Sequence, residues 1–486
     1  MSLKIKTLSG MKWSVFNSFG SSCINFVLGI VLARLLTADD YGIVGMTAIF
    51  FSLASQFIDS GFSDALIRKK DMTATDASTM FIFNLTISTV FCMLFWIFSA
   101  DIATFLNAPI LKDIIKVSAL SLIIGALGSV QGVLFNRNVD FKTPSLISLP
   151  VQIFAGCVAI VLAFLGFGPW AIVIQSFIST LLKTSVIWYV SNWRPKWRFS
   201  WKSFREMIGF GGNLTLNSLL DRFYSDGLAI VIGKYYTPAQ LGYYTKGHRF
   251  SQLPTTSLYT IVGRVTFPVL AKIQDEDERL MTAYSHILRM LSLIIFFAMF
   301  MMVALAKPLT ILFYSERWIP SIIFVQIFCF RYLIYHVHAV NWNLLMVKGR
   351  SDWALKKELI NKPINFLSVF IALPFGPVWI AVACMIASWS NIIVNTWVSG
   401  RLFNFGFKKQ ASDFVPYLIA AIVTGTPSLI IATFCDFHPL LTIIFCGSLS
   451  ASLYFGYYYI RKDPIFIEFI RLTPLKRIIP IKASNE

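Results

Sequence analysis

Charged residues are scarce in this chain. Of its 486 residues only 14% are charged, whereas 56% are hydrophobic, and the mean hydropathy is +0.68. Soluble domains of this size carry about 25% charged residues. The shortage of charge excludes an ordinary soluble protein and indicates a chain whose solvent is mostly lipid.

The sequence also lacks the short motifs of common active sites. It contains no P-loop, HExxH, CxxC or GxSxG pattern, which excludes nucleotide hydrolysis by this chain and argues against the corresponding enzyme classes. Its seven cysteines are scattered through apolar runs without a close pair or a neighbouring histidine. They do not resemble a disulfide framework or a metal site, so we expect neither a metal nor a cofactor.

Long apolar runs are abundant instead. They are continuous rather than alternating, which excludes porin-like strands. Runs of about 20 residues match the thickness of a bilayer core, and only helices satisfy their own backbone there. The sequence therefore predicts an all-α polytopic integral membrane protein with about fourteen transmembrane helices, at 12–35, 42–66, 78–99, 114–135, 144–166, 169–190, 206–233, 242–268, 285–313, 320–346, 354–374, 377–400, 413–434 and 438–460.

The basic residues orient these spans. The net charge of +18 does not indicate nucleic-acid binding, because the bases collect in every second loop and at both ends of the chain. Examples are Lys69 and Lys70 after the second span, and Lys408 and Lys409 after the twelfth. The positive-inside rule places these loops and both termini in the cytoplasm. The first span is too long for a signal peptide and lacks a cleavage pattern, so we expect it to be retained.

A repeat runs through the chain with an offset of 200 residues. The segment 31–42 ends an apolar helix with a base, a short polar turn and Gly42, and 231–242 repeats this pattern up to Gly242. With this offset both copies cross in the same direction. We therefore expect two six-helix lobes, 1–200 and 201–405, related by an axis along the membrane normal. Residues 406–486 add two further helices and a basic tail.

Polar stripes on the first span of each copy are candidate cavity residues. Asn213, Asn217, Asp221 and Ser225 recur every four residues and share one helical face. Arg222 and Asp226 form a second stripe, within reach of an ion pair. These residues either stabilise the packing of neighbouring helices or line a water-filled cavity. Together with the matching residues of the first copy, the amides of this stripe form a set of candidate cavity-lining residues: Asn17, Asn25, Asn213 and Asn217.

Bases inside the spans of the second lobe could bind an anionic headgroup. Ionisable residues within a membrane are costly and usually functional, and arginine presents a planar fork that suits phosphate oxygens. Lys246 and Arg249 could equally extend to a membrane surface. The candidate ligands for such a headgroup are Arg264, Arg331, Arg249, Lys246 and Arg222.

Carboxylates near the spans are candidates for ion coupling, because a desolvated carboxylate can exchange a proton near neutral pH. They are Asp59, Asp64, Asp221 and Asp226. For Asp59 and Asp64 the alternative is a polar cluster at a helix end, capped by Arg68 and Lys69.

Further stretches resemble the Wzx-type polysaccharide and lipopolysaccharide (colanic-acid-like) flippases of the multidrug/oligosaccharidyl-lipid/polysaccharide exporter superfamily. The similar segments occur in the same order along nearly the whole chain, and they are 32–36 with 41–42, 59–62, 135–142, 166–170, 241–254, 267–268, 316–318 and 348–352. The resemblance implies a two-lobed transporter with a cationic central cavity. Such a transporter flips undecaprenyl-pyrophosphate-linked oligosaccharides across the bacterial inner membrane by alternating access, for surface polysaccharide biosynthesis. Expected partners are the lipid-linked oligosaccharide, membrane lipids, a coupling H+ or Na+ and the polysaccharide polymerase machinery.

Two other functions compete with this interpretation. A multidrug or small-solute exporter on the same fold would favour a more acidic and aromatic cavity. A membrane glycosyltransferase or polymerase would be an enzyme, and Asp39-Asp40 superficially fits its acid pair. Such enzymes usually need a large outward domain, which the predicted loops do not provide. Asp39 and Asp40 are better explained as the cap of the following helix, so we expect a transporter and not an enzyme.

Overall fold

The computed structural model describes residues 3–435 and 437–472 of the chain. Within its helices, side chains are described except at residues 3–11, 210, 213–214, 216–217, 220–221, 224, 256–269, 271, 351, 354–355 and 472. All regular elements in this part are helical, with 3-10 helices at Glu316–Ser321 and Leu373–Phe375. The α-helices are α1 (Leu3–Leu35), α2 (Ala38–Asp59), α3 (Phe62–Arg68), α4 (Ala74–Phe105), α5 (Leu111–Arg137), α6 (Lys142–Phe164), α7 (Trp170–Val190), α8 (Trp201–Tyr235), α9 (Pro238–Ala271), α10 (Asp277–Ala304), α11 (Ala306–Tyr314), α12 (Ile322–Tyr332), α13 (Tyr335–Val347), α14 (Ser351–Ala372), α15 (Pro377–Phe403), α16 (Phe407–Phe434), α17 (Pro439–Ile460) and α18 (Pro464–Leu472).

These helices confirm an all-α membrane protein with about fourteen spans. Eleven segments of the described chain are long and apolar enough to cross a bilayer. The predicted spans at 206–233, 242–268 and 354–374 correspond to α8, α9 and α14, which contain 35, 34 and 22 residues. Each predicted span therefore has a helix at its place.

Three predicted spans are broken rather than continuous. The span predicted at 285–313 is divided into α10 and α11 at Leu305. The span predicted at 42–66 ends as α2 at Asp59, because Ser60 and Gly61 adopt left-handed backbone angles, and it resumes as α3. The span predicted at 320–346 is divided into α12 and α13 at Leu333 and Ile334. The predicted tail also begins with a short helix, α18.

The 200-residue repeat is reproduced as local structure. Helices α2 and α9 begin at residues 38 and 238, and both are preceded by a threonine. The backbone N–H of Thr37 donates to Asp40 Oδ2 at 2.8 Å, and that of Asp40 donates to Thr37 Oγ1 at 3.3 Å. Thr237 and Gln240 exchange the equivalent bonds at 3.2 and 3.3 Å. Both helices thus start with a capping box, which confirms Asp40 as part of a cap.

The starts of α2 and α9 also cross in direct backbone contact. A Cβ atom added at Gly42 would lie 1.8 Å from the carbonyl oxygen of Pro238. A Cβ atom added at Gly242 would lie 1.9 Å from the carbonyl oxygen of Ala38. Each repeat therefore supplies one glycine against the backbone of the other, and we call this contact the glycine crossing.

The chain packs as two compact units, residues 1–245 and 246–486. In the first unit α1 packs on α6, α4 on α5, and α2 along α8. Small residues such as Ala159 and Ala163 are buried between α1 and α6, as is common where membrane helices pack closely. The predicted lobes divide at residue 200. The compact units divide later because α8 follows α2 closely, and the lobe boundaries stay a prediction.

In the second unit α10 packs on α16, α14 on α15, and α16 on α17. Short α18 lies against α10 and α17, and it buries Ile465, Phe466 and Ile470. The Oε2 atom of its Glu468 lies 3.0 Å from His286 Nε2 of α10. The part of the tail that is described is therefore packed onto the unit.

Candidate functional site

The break between α12 and α13 lies beside one of the predicted bases. Arg331 is in the last turn of α12, where the carbonyl end of a helix favours a positive charge. The backbone resumes when the N–H of Val337 donates to the carbonyl of Ile334 at 3.0 Å. Broken helices of transporters often carry the binding groups. The span predicted at 320–346 is present, and the break lies within it, next to Arg331.

Side-chain contacts connect α9 to α12 next to Arg331. The Tyr332 hydroxyl and His248 Nε2 are 2.8 Å apart, and the His248 ring packs edge-on against Phe328 with ring centres 4.6 Å apart. Arg331 is half-buried and its guanidinium lies 5.9 Å from the centre of the Tyr332 ring. Arg249, one residue after His248, is exposed. We call this group, His248, Arg249, Arg331 and Tyr332, the α9–α12 site.

Lys246 is separated from this site by its surroundings. Its side chain is only 8% exposed, and its ammonium lies 4.5 Å from the centre of the Tyr314 ring and 5.4 Å from that of Trp318. Aromatic faces attract a cation electrostatically. A lysine that extends to the membrane surface keeps its ammonium in water. The burial of Lys246 therefore argues against that alternative. Trp318, in one of the segments that resemble the exporter family, is thus a wall of an aromatic box.

Four predicted site residues fall on side chains outside the described part of the structure. They are Arg264, Asn213, Asn217 and Asp221. Their helices, α8 and α9, are in place, and their roles stay predictions.

In the first unit, the polar stripe of α1 mostly bonds to α6. The Ser148 hydroxyl donates to Asn17 Oδ1 at 2.8 Å, and Gln152 Nε2 donates to the Ser21 hydroxyl at 3.2 Å. Asn25 is exposed. Asn17 therefore has part of its hydrogen-bonding capacity committed within the protein, whereas Asn25 is accessible from outside it.

On α8, Arg222 is exposed and Asp226 is half-buried. The ion pairs found among described side chains of the first unit join Lys69 to Asp76 and Glu206, and they do not include Arg222 with Asp226. Their predicted pairing is not formed in this structure.

The acids of the second span form a helix-end cluster. Asp59 is the last residue of α2 and accepts a hydrogen bond from the Ser63 hydroxyl of α3. Asp64 is exposed. Lys69, predicted to cap this cluster, instead bonds Asp76 at 2.9 Å and Glu206 at 2.8 Å.

The loop that carries Lys69 is held in place by Arg137. The Arg137 guanidinium donates to the carbonyls of Leu66, Lys69 and Lys70 at 2.7, 2.6 and 2.9 Å. These are carbonyls at and beyond the end of α3 that lack helical partners. Lys69 is thereby directed away from Asp59.

Sequence reasoning missed a polar network on α13, α14 and α15. Asn395 Nδ2 lies 2.6 Å from His338 Nδ1, and Asn361 Nδ2 donates to Asn395 Oδ1 at 3.2 Å. His338 Nε2 lies 3.1 Å from the carbonyl of Ser388. Asn391 and Asn395 occur four residues apart in an apolar run, which was a usable signal. His336, two residues before His338, is bonded elsewhere, with 2.9 Å between its Nε2 and the Ser292 hydroxyl.

Comparison with known proteins identifies relatives of the whole architecture. The profile of a family described as "Polysaccharide biosynthesis protein" matches residues 31–323. The lipopolysaccharide biosynthesis protein WzxC of Escherichia coli (strain K12) is 25% identical over 378 residues, covering 77% of this chain and 75% of the relative.

Solved structures share the fold. The lipid II flippase MurJ in an inward closed conformation superposes with a TM-score of 0.74 at 16% identity, covering 92% of this chain and 99% of its own. An inward-facing multidrug resistance transporter of the MATE family, of the MOP superfamily, gives a TM-score of 0.57 at 16% identity, covering 78% and 94%. At this identity the likeness establishes the fold alone.

Proposed function

The chain belongs to the polysaccharide biosynthesis protein family, and on that premise we propose that it flips undecaprenyl-pyrophosphate-linked oligosaccharides across a bacterial inner membrane by alternating access. The coarser conclusion, a multi-pass protein of the flippase and exporter fold, follows from the helices and the comparisons. The choice of substrate depends on the residues of the second unit.

The observation that carries the proposal is Arg331 at the break between α12 and α13. Two phosphates cannot cross hydrocarbon without compensation, because burying an unpaired charge is severely unfavourable. Irregular backbone within a membrane is tolerated where it is buried in protein or lines a cavity. An arginine fork at such a break, beside Arg249 and the bonded pair of His248 and Tyr332, suits a pyrophosphate.

The other predicted site residues have separate proposed roles in binding the phosphates, the sugars and the coupling ion. Arg264, Lys246 and Arg222 would add positive charge along the path, with Lys246 exchanging its aromatic contacts for phosphate. The sugars need hydrogen bonds, which Asn25, Asn213 and Asn217 would supply and Asn17 would share with Ser148. Asp59, Asp64, Asp221 and Asp226 are the proposed sites of H+ or Na+ coupling. The released lipid would pass to the polymerase machinery.

The site is tested by expressing variants in a strain that lacks its own flippase and measuring whether polysaccharide display at the cell surface is restored. Arg331→Ala should abolish display while the protein stays in the membrane at normal abundance. Arg331→Lys should retain partial display if charge dominates, and little if the bidentate geometry matters. The matched control is Arg317→Ala, which removes an exposed arginine from the preceding 3-10 helix and should leave display unchanged.

Normal display by alanine variants at Arg331, Arg264, Arg249 and Lys246 would remove the cationic mechanism. The fold would then fit a multidrug or small-solute exporter better. A membrane glycosyltransferase would instead release or transfer sugar in vitro with the purified protein alone.

Orientation is tested separately. We propose that both termini and the base-rich loops face the cytoplasm. Reporter fusions after Lys70 and Lys409 should read cytoplasmic, and a fusion near Asp436, which lies outside the described residues, should read external. An external signal at the C-terminus would contradict this orientation.

A further inference from the structure

The segment 191–205 consists of the connection from α7 to α8 and the first turn of α8. One side of this segment is bonded to the rest of the first unit. The backbone N–H of Lys196 donates to the Ser78 hydroxyl and that of Ser200 to the Thr79 hydroxyl, both at 3.1 Å. The Trp193 ring packs edge-on against Phe81, with ring centres 5.9 Å apart. The segment therefore has an inner side that is held at the start of α4.

Its first base belongs to this inner attachment. The Arg194 guanidinium donates to the carbonyls of Ser191 and Trp188 at 2.5 and 2.8 Å. It also lies 5.3 Å from the centre of the Trp188 ring. Arg194 thus caps the end of α7 and is already engaged within the protein.

The outer side of the segment is aromatic and strongly exposed. Trp197 is 73% exposed, Trp201 67% and Phe199 41%. Phe199 and Trp201 pack edge-on, with ring centres 5.4 Å apart, and Trp201 packs in the same way on Phe204. Phe204 in turn contacts buried Phe62. Through Phe204, the exposed rings of Phe199 and Trp201 are therefore packed against the core of the first unit.

Positive charge accompanies these rings without any acid. Residues 191–205 contain five bases and no aspartate or glutamate. The four bases other than Arg194 are exposed, and they are Lys196, Arg198, Lys202 and Arg205. The next residue is an acid, Glu206, but it is paired with Lys69 at 2.8 Å. The exposed charge of the segment is thus entirely positive.

We propose that the outer side of 191–205 is a binding surface for the headgroups of anionic glycerophospholipids in the adjacent leaflet. Tryptophan rings prefer the headgroup level of a bilayer, and each lysine or arginine near an anionic membrane surface strengthens the association of a basic segment with that surface about fivefold. The surface anchors the connection between the two repeats. It does not depend on what the protein transports.

The test uses the full chain in nanodiscs of phosphatidylcholine with a fixed minor fraction of phosphatidylglycerol. Bromine is placed on the acyl chains of only one lipid at a time, and quenching of tryptophan fluorescence is measured. Subtracting the signal of a Trp197→Phe/Trp201→Phe variant isolates these two rings. We expect brominated phosphatidylglycerol to quench them several-fold more, mole for mole, than brominated phosphatidylcholine.

Lys196→Gln/Arg198→Gln should remove most of this preference. The matched control Lys408→Gln/Lys409→Gln deletes two exposed bases from the first turn of α16 and should leave the preference intact. Raising the ionic strength should reduce the preference in the unmodified protein, which needs no substitution. Equal quenching by both lipids would overturn the proposal. So would the absence of quenching by either lipid, which would mean that the rings face water or an acidic protein partner.

Discussion

The glycine crossing should not tolerate a single methyl group. In Gly42→Ala the new Cβ would start 1.8 Å from the Pro238 oxygen, whereas real Cβ atoms essentially never come closer than 3.0 Å. Helices α2 and α9 would have to separate by about 1.2 Å at this point. Overpacking of this kind costs typically about 1–3 kcal/mol, and here the methyl group meets a backbone carbonyl, which has little freedom to move.

Gly45→Ala is the matched control, one turn further along α2. Its nearest neighbour would be Leu241 Cδ2 at 3.6 Å, an ordinary contact. Alanine is favoured over glycine inside a helix by about 1 kcal/mol. Gly45→Ala should therefore match or exceed the unmodified protein in thermal unfolding in detergent, while Gly42→Ala unfolds at a clearly lower temperature.

The double variant gives a sharper result. One separation of α2 from α9 relieves both clashes, so Gly42→Ala/Gly242→Ala should lose less stability than the sum of the two single variants. A Gly42→Ala protein as stable as Gly45→Ala would refute the crossing as described. If the stability losses of the two single variants add fully in the double variant, a single separation of α2 from α9 does not relieve both clashes.

Three other contacts lead to measurable outcomes. Lys246→Met should keep thermal stability within about 1 kcal/mol, since methionine also packs on Trp318, while polysaccharide display falls if the charge serves transport. Asp413→Asn should lower stability by about 1–2 kcal/mol, because the buried carboxylate accepts a hydrogen bond from Arg289 at 2.6 Å and that cation, half exposed, would lose its partner. The hydrogen bond to Glu206 raises the pKa of Lys69 above 10.5; its stabilisation is therefore full below that pH and lost as the pH rises through the raised value. Unfolding temperatures of the unmodified protein and of Lys69→Met should converge in strongly alkaline buffer, and a constant difference would contradict this.

The number and placement of the spans could be predicted because lipid imposes a simple rule on composition. Apolar length alone located each of them, and the repeat at 31–42 and 231–242 located the capped starts of α2 and α9. The break at 333–334 could not be predicted in this way. No proline or glycine marks it, and it depends on how α12 and α13 pack against their neighbours.

The candidate site was only partly predictable for a related reason. Arg331 was found because a base inside an apolar run is unusual in any context. The aromatic contacts of Lys246 were not predicted, since Tyr314 and Trp318 are 68 and 72 residues away in sequence and become its neighbours only after folding. The predicted role of Lys69 was wrong because Arg137, from another helix, fixes the loop in a direction that the local sequence does not encode.

The glycine crossing also has an electrostatic consequence. It brings together the starts of two helices, each of which carries a partial positive charge of about half a unit. The first copy places Asp39 and Asp40 there, whereas the second places Ala239 and Gln240. One repeat therefore supplies the negative charge near both like-signed helix ends. Two copies that match in backbone geometry have become unequal in charge, and neutralising Asp39 and Asp40 would leave α9 as well as α2 without compensation.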